Sequence, residues 1–201
     1  MTGMVRKALL IAAGFAVVAS VASAGVPDPR FSTIDPAAVG TNSGTATPQA
    51  SATPGFDVIV RDVSNAPLAG VTVTLNYAVS GMKVYQTQNA GTTVNCPAKS
   101  ISRVTNGAGQ VTFGPRTGKF NNANTVEVSA NGVVLGNVKG RSTDIDGIGG
   151  QTALGDFALF SSAFGTVNQE TDFDVSGGVT GLGDFGIFST EFSGVILTYC
   201  P

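Results

Sequence analysis

Seven oxygen-bearing side chains in the C-terminal third of the chain are spaced so that they can converge on cations. They form two copies of one pattern, in which Asp172 follows Asp144 by 28 residues and the other aspartate pairs keep that interval. The seven candidate ligands are Asp144, Asp146, Asp156, Asp172, Asp174, Ser176 and Asp184. Ca²⁺ takes about six to eight oxygen ligands, and donors at alternate loop positions meet at one point when a glycine allows a sharp turn. The pattern therefore predicts calcium binding.

The two copies are two loops, and position 1 is Asp144 in the first loop and Asp172 in the second. Both follow the order of an EF-hand loop, in which side chains at positions 1, 3 and 5 bind the ion and a glycine stands at position 6. The second loop has Asp172, Asp174 and Ser176 at the donor positions and Gly177 at position 6. The first loop has Ile148 at position 5, which offers no side-chain oxygen. We therefore expect the first site to bind calcium more weakly than the second.

The acid that follows each loop departs from this order by one residue. The helix-borne carboxylate belongs at position 12, where the chain has Gly155 and Gly183, and the aspartates Asp156 and Asp184 stand at position 13. A bulge can absorb the extra residue, because two glycines lie within reach. Alternatively, the two aspartates only occupy the first turn of a helix, where a negative charge suits the helix dipole.

Each loop is followed by an apolar segment with helical spacing. Its large apolar side chains recur every three or four positions, which places them on one stripe of a helix. They are Leu154, Phe157, Phe160 and Phe164 after the first loop, and Leu182, Phe185, Phe188 and Phe192 after the second. Two such helices can pack their phenylalanine faces together, so that two units too small to fold singly share one core.

Residues 56–141 have the pattern of an antiparallel β-sandwich. Apolar residues alternate with polar ones over 56–60 and 71–77, and Asn131 with Gly132 is a strong hairpin signal between two valine-rich runs. No segment of this region keeps a helical period. Short strands separated by turns are typical of a sandwich.

The N-terminal residues predict export. Two bases at positions 6 and 7 precede an apolar run and an Ala-Ser-Ala exit at 22–24, which is the order of a secretory signal peptide. A membrane anchor is the alternative, but the run is short for a hydrocarbon core of about 30 Å. We expect residues 1–24 to be a signal peptide and residues 25–55, rich in Pro, Ser, Thr, Ala and Gly, to be a flexible linker or arm. No other segment is apolar for long enough to span a membrane, so we expect a secreted or cell-surface protein.

Charge is distributed unevenly along the chain. Residues 142–201 contain eight carboxylates and no Lys or Arg, whereas residues 25–141 contain five acids and nine bases. Uncompensated negative charge resists folding unless something positive joins it, and a metal ion is the simplest candidate. A mildly acidic chain with no basic run also lacks the electrostatic footprint of a nucleic-acid-binding protein.

The composition argues against an enzyme. The chain has no His and no Trp, which excludes a Ser-His-Asp triad and most zinc and copper sites. Paired aspartates can serve glycoside hydrolysis, but here they cluster at calcium spacing and no Trp platform exists for sugar stacking. We expect a non-catalytic protein.

The chain has two cysteines, Cys96 and Cys200. In an exported protein such a pair favours a disulfide. The bridge would close a loop of about a hundred residues and contribute up to about 4–5 kcal/mol in the chain-entropy model. Free or intermolecular thiols are the alternative.

The two repeats resemble dockerin modules, which are tandem half-EF-hands of the form D-x-D/N-x-D/S-G-x-V with one exiting helix each. The resemblance covers residues 142–194, where Val179 fits and both Ile148 and the extra loop residue depart. It implies calcium-dependent folding and docking of a helix face onto a cohesin-type partner. Residues 56–141, with the opening RDVSNAPLAGVTVTL, resemble a bacterial Ig-like or carboxypeptidase-regulatory-like sandwich, which implies a spacer or adhesive unit.

Together these features predict a multi-domain chain, with an all-β Ig-like sandwich over 56–141 and a small α-helical dockerin-like calcium-binding domain over 142–201. The leading hypothesis is an exported assembly or attachment protein that docks through its tail to a cohesin-like receptor or another surface partner. The alternative is a structural cell-surface, filament or adhesin subunit that self-associates, in which calcium only rigidifies the tail.

Overall fold

A computed structural model describes residues 25–35, 37–40, 56–119, 121–194 and 196–201. The expected signal peptide and residues 41–55 of the expected linker lie outside this part of the chain. The described part is rich in β-structure and contains two short helices. The strands are β1 (Thr33–Ile34), β2 (Ala37–Gly40), β3 (Phe56–Ile59), β4 (Thr72–Asn76), β5 (Lys83–Val84), β6 (Thr93–Asn95), β7 (Ser100–Val104), β8 (Gln110–Phe113), β9 (Thr117–Gly118), β10 (Asn121–Ala130) and β11 (Val133–Ser142). The helices are α1 (Leu154–Ala163) and α2 (Leu182–Glu191).

The strands form two main sheets with one shared core. One sheet has the order β1-β3-β8, the other has the order β2-β11-β10-β4-β7-β6, and β5 pairs with β9 in a small ribbon. The β2–β11 pair is parallel, whereas the remaining pairs of named strands are antiparallel within the described residues. Apolar side chains from both sheets join in a single buried cluster. The expected β-rich, sandwich-like architecture is confirmed.

The alternation in the sequence explains which strand faces are buried. Phe56 and Val58 on β3, Leu75 on β4 and Val128 on β10 are all at most 1% exposed. Burying large apolar side chains removes apolar surface from water, which is the main favourable term in folding. The predicted hairpin joins β10 and β11 with positive φ at both central residues, as a tight two-residue turn requires.

Part of the segment expected to be a flexible linker is instead paired with the sandwich. Strand β1 pairs with β3, and β2 adds a parallel strand to β11. Ile34 packs against the sandwich core, and the Asp35 carboxylate accepts a hydrogen bond from the backbone N–H of Asp57 at 2.6 Å. The composition of residues 25–55 does not indicate these contacts. A few apolar residues and free backbone groups are enough to extend a sheet edge, even in a segment rich in Pro, Ser and Gly.

The two helices build a second, smaller core with residues from the loops. Its buried members are Ile145, Phe160, Phe173 and Phe188, so each repeat contributes one loop residue and one helix residue. The prediction that the two helices pack their phenylalanine faces together is confirmed by ring contacts between them, although only Phe160 and Phe188 of the stripe are buried. The outer members stay 36% to 80% exposed, although the phenylalanines among them contact neighbouring rings. They are Leu154, Phe157, Phe164, Leu182, Phe185 and Phe192.

Candidate metal centres

The first loop brings its three predicted aspartates together. Asp144, Asp146 and Asp156 each offer one carboxylate oxygen, and these oxygens lie within 4.8 Å of one another. Asp144 is fully buried and Asp156 is 1% exposed. Buried carboxylates at this separation repel one another, and a shared cation removes that repulsion.

The second loop repeats this arrangement 28 residues later. One oxygen each from Asp172, Asp174 and Asp184 lie within 4.8 Å of one another, and the three side chains are 3%, 8% and 1% exposed. The donors are hard oxygen ligands, as Ca²⁺ prefers. The residues present therefore fit a divalent cation at both loops.

The aspartate at position 13 of each loop lies in the first turn of its helix and also in the carboxylate cluster, so the position fits both interpretations that the sequence left open. Asp156 accepts backbone N–H bonds from Ala153 at 2.8 Å and from Asp146 at 3.0 Å. Asp184 accepts the equivalent bonds from Gly181 at 2.9 Å and from Asp174 at 3.0 Å. Each carboxylate therefore stabilises the first turn of its helix and joins that turn to the loop. The same groups also belong to the two carboxylate clusters.

The glycines at position 12 have a steric role that the sequence analysis missed. A Cβ atom on Gly155 would lie 2.6 Å from Oδ2 of Asp146, and one on Gly183 would lie 2.5 Å from Oδ2 of Asp174. Both distances are shorter than carbon–oxygen contacts allow, so a side chain at either position would displace a candidate ligand. The departure from the EF-hand order therefore leaves room for the carboxylate at position 3.

Position 5 differs between the loops as expected. Ser176 is exposed, and its backbone N–H donates to Asp172 at 3.0 Å and to Asp174 at 2.9 Å. In the first loop the N–H of Ile148 donates to Asp146 at 2.7 Å, while the Ile148 side chain is 69% exposed and carries no donor oxygen. The Ser176 hydroxyl thus lies beside the second cluster with no counterpart in the first.

Tyrosines from outside the repeat hold Asp144. Its Oδ2 accepts a hydrogen bond from the Tyr85 hydroxyl at 2.5 Å and another from the Tyr199 hydroxyl. Its Oδ1 is buried and has no hydrogen-bond partner within the described residues. Tyr85 and Tyr199 stack with ring centroids 4.7 Å apart. Sequence reasoning missed both residues, because neither stands at a spacing that links it to the loop.

Arg141 supports the second cluster. Its guanidinium forms an ion pair with Asp172 at 3.2 Å and also donates to the Asp172 backbone carbonyl. Both side chains are about 95% buried, at 5% and 4% exposure. Arg141 is the last base before the acidic residues 142–201 and stands at the end of the region predicted to form the sandwich. The negative charge of the tail is therefore partly compensated by the protein itself.

The surroundings shift the acidity of these carboxyl groups. Burial raises the pKa of Asp144 to about 6, although the hydrogen bonds from Tyr199 and Tyr85 oppose the rise. Burial also raises the pKa of Asp172, against the opposing attraction of Arg141. For Asp174, burial works to raise the pKa, but hydrogen bonds from Ser176 bring it below its usual value. Burying Asp144 and Asp172 in their charged forms without a cation is thus unfavourable, most clearly at Asp144.

Two shallow apolar grooves lie on the outer face of the helices. The groove of about 370 Å³ is lined by Leu154, Phe157, Phe185, Phe188, Ser189 and Phe192. The groove of about 390 Å³ is lined by Leu182, Phe185, Phe157, Phe160, Ser161 and Phe164. Corresponding lining residues are 28 positions apart, so the internal repeat produces two equivalent grooves.

The C-terminal residues fasten the tail to the sandwich. The predicted disulfide between Cys96 and Cys200 is confirmed. The N–H of Cys200 donates to the carbonyl of Val84 at 2.7 Å, and Tyr199 forms a β-bridge with Tyr85. These contacts place the last residues beside the first loop.

Comparisons with protein-family models, with curated proteins and with solved structures find no significant match. In the part of the chain that the structure describes, no helix has the length and apolar character needed to cross a membrane.

Proposed function

We propose that the chain is an exported, non-catalytic attachment or assembly protein whose C-terminal loops bind Ca²⁺. In this proposal a signal peptide over residues 1–24 directs export, and an Ig-like sandwich serves as the spacer. The dockerin-like tail over residues 142–201 meets a cohesin-like or other surface protein. Calcium stabilises the tail by linkage, because the unfolded acidic segment has no preformed site.

The observation that carries this proposal is the duplication of one buried carboxylate cluster. Two loops place three aspartates each within 4.8 Å by the same positions, the same helix start and the same glycine. Both copies of the repeat keep the three carboxylates together with the glycine that leaves room for the carboxylate at position 3. Calcium explains both copies with one requirement, since each supplies negative oxygen donors around one point.

The repeated grooves support a protein partner. They lie on the face of α1 and α2, where phenylalanine side chains remain exposed. Exposed apolar patches of this kind mark interaction surfaces on soluble proteins. Their position on the helices that follow the calcium loops makes partner binding dependent on calcium in this proposal.

A structural subunit without a dedicated receptor is the second candidate. The observation that favours it is the fastening of the tail by the disulfide and by the Arg141–Asp172 ion pair. These contacts hold the tail on the sandwich without a docking partner, and calcium then has only to stiffen it. Sedimentation velocity with and without a cell-surface extract separates the candidates. A specific calcium-dependent complex supports docking, whereas self-association alone supports the structural subunit.

Calcium binding itself is tested by calorimetric titration of the full chain, since the tail shares contacts with the sandwich. We expect two sites in the unmodified protein and the loss of one site each in Asp146→Ala and Asp174→Ala, which remove the position-3 oxygens altogether. Glu170→Gln is the matched control, because Glu170 is an exposed acid outside both clusters. Chelation should also reduce the helical circular dichroism while the β signal remains. An absence of binding heat in all four proteins contradicts the proposal.

A further inference from the structure

The first cluster contains a buried oxygen that lacks a partner. Asp144 is fully buried, and its Oδ1 makes no hydrogen bond within the described part of the chain. Buried polar atoms are nearly always paired, because an unpaired one loses its hydration without replacement. Since Oδ2 is already turned to two tyrosine hydroxyls, Oδ1 is the oxygen left for a cation.

The two hydroxyls come from different parts of the chain. Tyr85 follows β5 in the sandwich, and Tyr199 lies in the C-terminal segment. Gly118 on β9 leaves the space in which they meet Asp144, because a Cβ there would lie 2.6 Å from Asp144 Oδ2 and 2.7 Å from the Tyr199 hydroxyl. The packing around Asp144 Oδ2 is thus built from three separate segments.

The C-terminal segment is held in place on both sides. The N–H of Gln86 donates to the carbonyl of Thr198 at 2.8 Å, and the disulfide anchors Cys200. On the other side, the N–H of Leu197 donates at 2.8 Å to the carbonyl of Gly150 in the first loop. Tyr199 is therefore fixed relative to the sandwich and to the loop at the same time.

We propose that Tyr85 and Tyr199 are positioning residues of the first calcium site, and that the Cys96–Cys200 bridge keeps Tyr199 in place. This inference rests on the proposed calcium binding. The hydroxyls orient the Asp144 carboxylate and leave Oδ1 for the ion, which compensates for the missing oxygen at Ile148. Removal of a group that hydrogen-bonds to a metal ligand typically lowers metal affinity about 10- to 100-fold.

Calorimetric titration of the full chain tests this inference with variants that remove only a hydroxyl. Tyr85→Phe and Tyr199→Phe should each weaken calcium binding at the first site about tenfold and leave the second site unchanged. Tyr77→Phe is the matched control, because Tyr77 is buried in the sandwich and its hydroxyl has no partner within the described residues. In an Asp144→Asn background the Tyr199→Phe change should have no further effect.

Terbium luminescence gives a spectroscopic readout that a merely structural role would not move. The chain has three Tyr and no Trp, so tyrosine-sensitised emission should come mainly from terbium in the first loop. Each deletion also removes a sensitiser, so the midpoint of the terbium titration is compared and not its amplitude. With the remaining tyrosine as donor, the midpoint should shift to about tenfold higher terbium in Tyr85→Phe and Tyr199→Phe and stay unchanged in Tyr77→Phe. A Cys96→Ser, Cys200→Ser double variant should weaken the first site while the circular dichroism of the sandwich stays unchanged.

Three results overturn the inference in distinguishable ways. If neither site of the unmodified chain binds calcium, the proposed function fails as well. If calcium binds but both hydroxyl deletions leave the affinity of the first site unchanged, only the role of the tyrosines fails. If both sites weaken equally, the tyrosines act through general stability and do not position Asp144.

Discussion

The two candidate calcium loops share their three carboxylates and differ in the side chains that hold the position-1 aspartate. In the first loop, neutral hydroxyls from Tyr85 and Tyr199 hold the position-1 aspartate. In the second loop, the corresponding Asp172 is paired with the cation of Arg141. The repeat thus keeps the carboxylate donors in both loops, while the residues around the repeat give the two position-1 aspartates different partners.

This difference changes the expected order of affinities. The missing oxygen at Ile148 should weaken calcium binding at the first site, as we expect from the sequence. Arg141 works against the second site, because a buried positive charge beside Asp172 repels an incoming cation and already offsets part of the negative charge. Supporting residues can therefore reverse a ranking that is based on ligand count.

The largest expected effect comes from removing the positively charged side chain of Arg141, which pairs with Asp172 in the second loop. Arg141→Met leaves Asp172 buried without its charge partner, which should lower the free energy of unfolding by about 3–5 kcal/mol without metal. Saturating calcium should reduce this loss, because the ion replaces the missing charge, and the second site should bind calcium more tightly. Urea denaturation with chelator and with calcium measures both effects.

Lys83→Met is the comparison at the first loop. Lys83 donates to the carbonyl of Gly147 at 2.6 Å and lies 4.7 Å from the ring centroid of Tyr199. Its loss should cost only about 1 kcal/mol, because a partly exposed cation over an aromatic ring contributes little more than that. Equal losses in the two variants would mean that the loops do not differ in their dependence on protein cations.

The second prediction concerns how stability depends on pH through Asp144, the carboxyl group that accepts hydrogen bonds from the two tyrosines. The pKa of Asp144 is raised to about 6 in the folded protein, so the folded state holds this proton more tightly than the unfolded state. Stability contributed by Asp144 is therefore greatest at low pH and is lost as the pH rises from about 4 to about 7, by about 3 kcal/mol in total. Denaturation of the metal-free wild type and of Asp144→Asn across this pH range measures two free energies of unfolding. The difference between them gives the contribution of Asp144.

The corresponding dependence for Asp172 should be shallower, because Arg141 favours its ionised form. Calcium should remove the slope at both loops, since the ion binds the ionised carboxylates. A wild-type-minus-variant difference for Asp144 that does not change with pH would contradict the assignment of a raised pKa.

Local patterns in the sequence predict much of this molecule. Alternation over 56–60 and 71–77 identifies buried strand faces, and the 28-residue interval identifies both clusters, because each depends on residues close together in the chain. The disulfide could be predicted because Cys96 and Cys200 are the only cysteines.

The tyrosines that contact the first cluster from outside the repeat could not be predicted in this way. Tyr85 lies 59 residues from Asp144 and Tyr199 lies 55 residues from it, and such long-range contacts leave no periodic signal. The helical stripe likewise shows which side chains share a face, but it does not show how much of that face another element covers. Phe157 and Phe185 therefore remain exposed in a pattern that suggested a closed core.

The third prediction sharpens the equivalence of the two loops. Gly155→Ala and Gly183→Ala each place a Cβ about 2.5 Å from a candidate ligand oxygen, so each should weaken calcium binding at its own site about tenfold. The fold should be little affected, because alanine favours a helix by about 1 kcal/mol over glycine. Gly186→Ala is the control in α2, where an added Cβ meets nothing within 4 Å. If either cluster variant binds calcium like the control, that loop does not use its position-3 carboxylate.

The smallest expected effect comes from exchanging position 5 between the loops. Ile148→Ser adds a hydroxyl beside the first cluster and removes a side chain that is 69% exposed, so the fold loses little. The first site should bind calcium a few-fold more tightly, and Ser176→Ile should weaken the second site by a similar factor, since ligand number tunes affinity in such loops. Calorimetry on both variants measures the changes. If Ser176→Ile weakens binding while Ile148→Ser gains nothing, the hydroxyl acts by holding Asp174 rather than by contacting the ion.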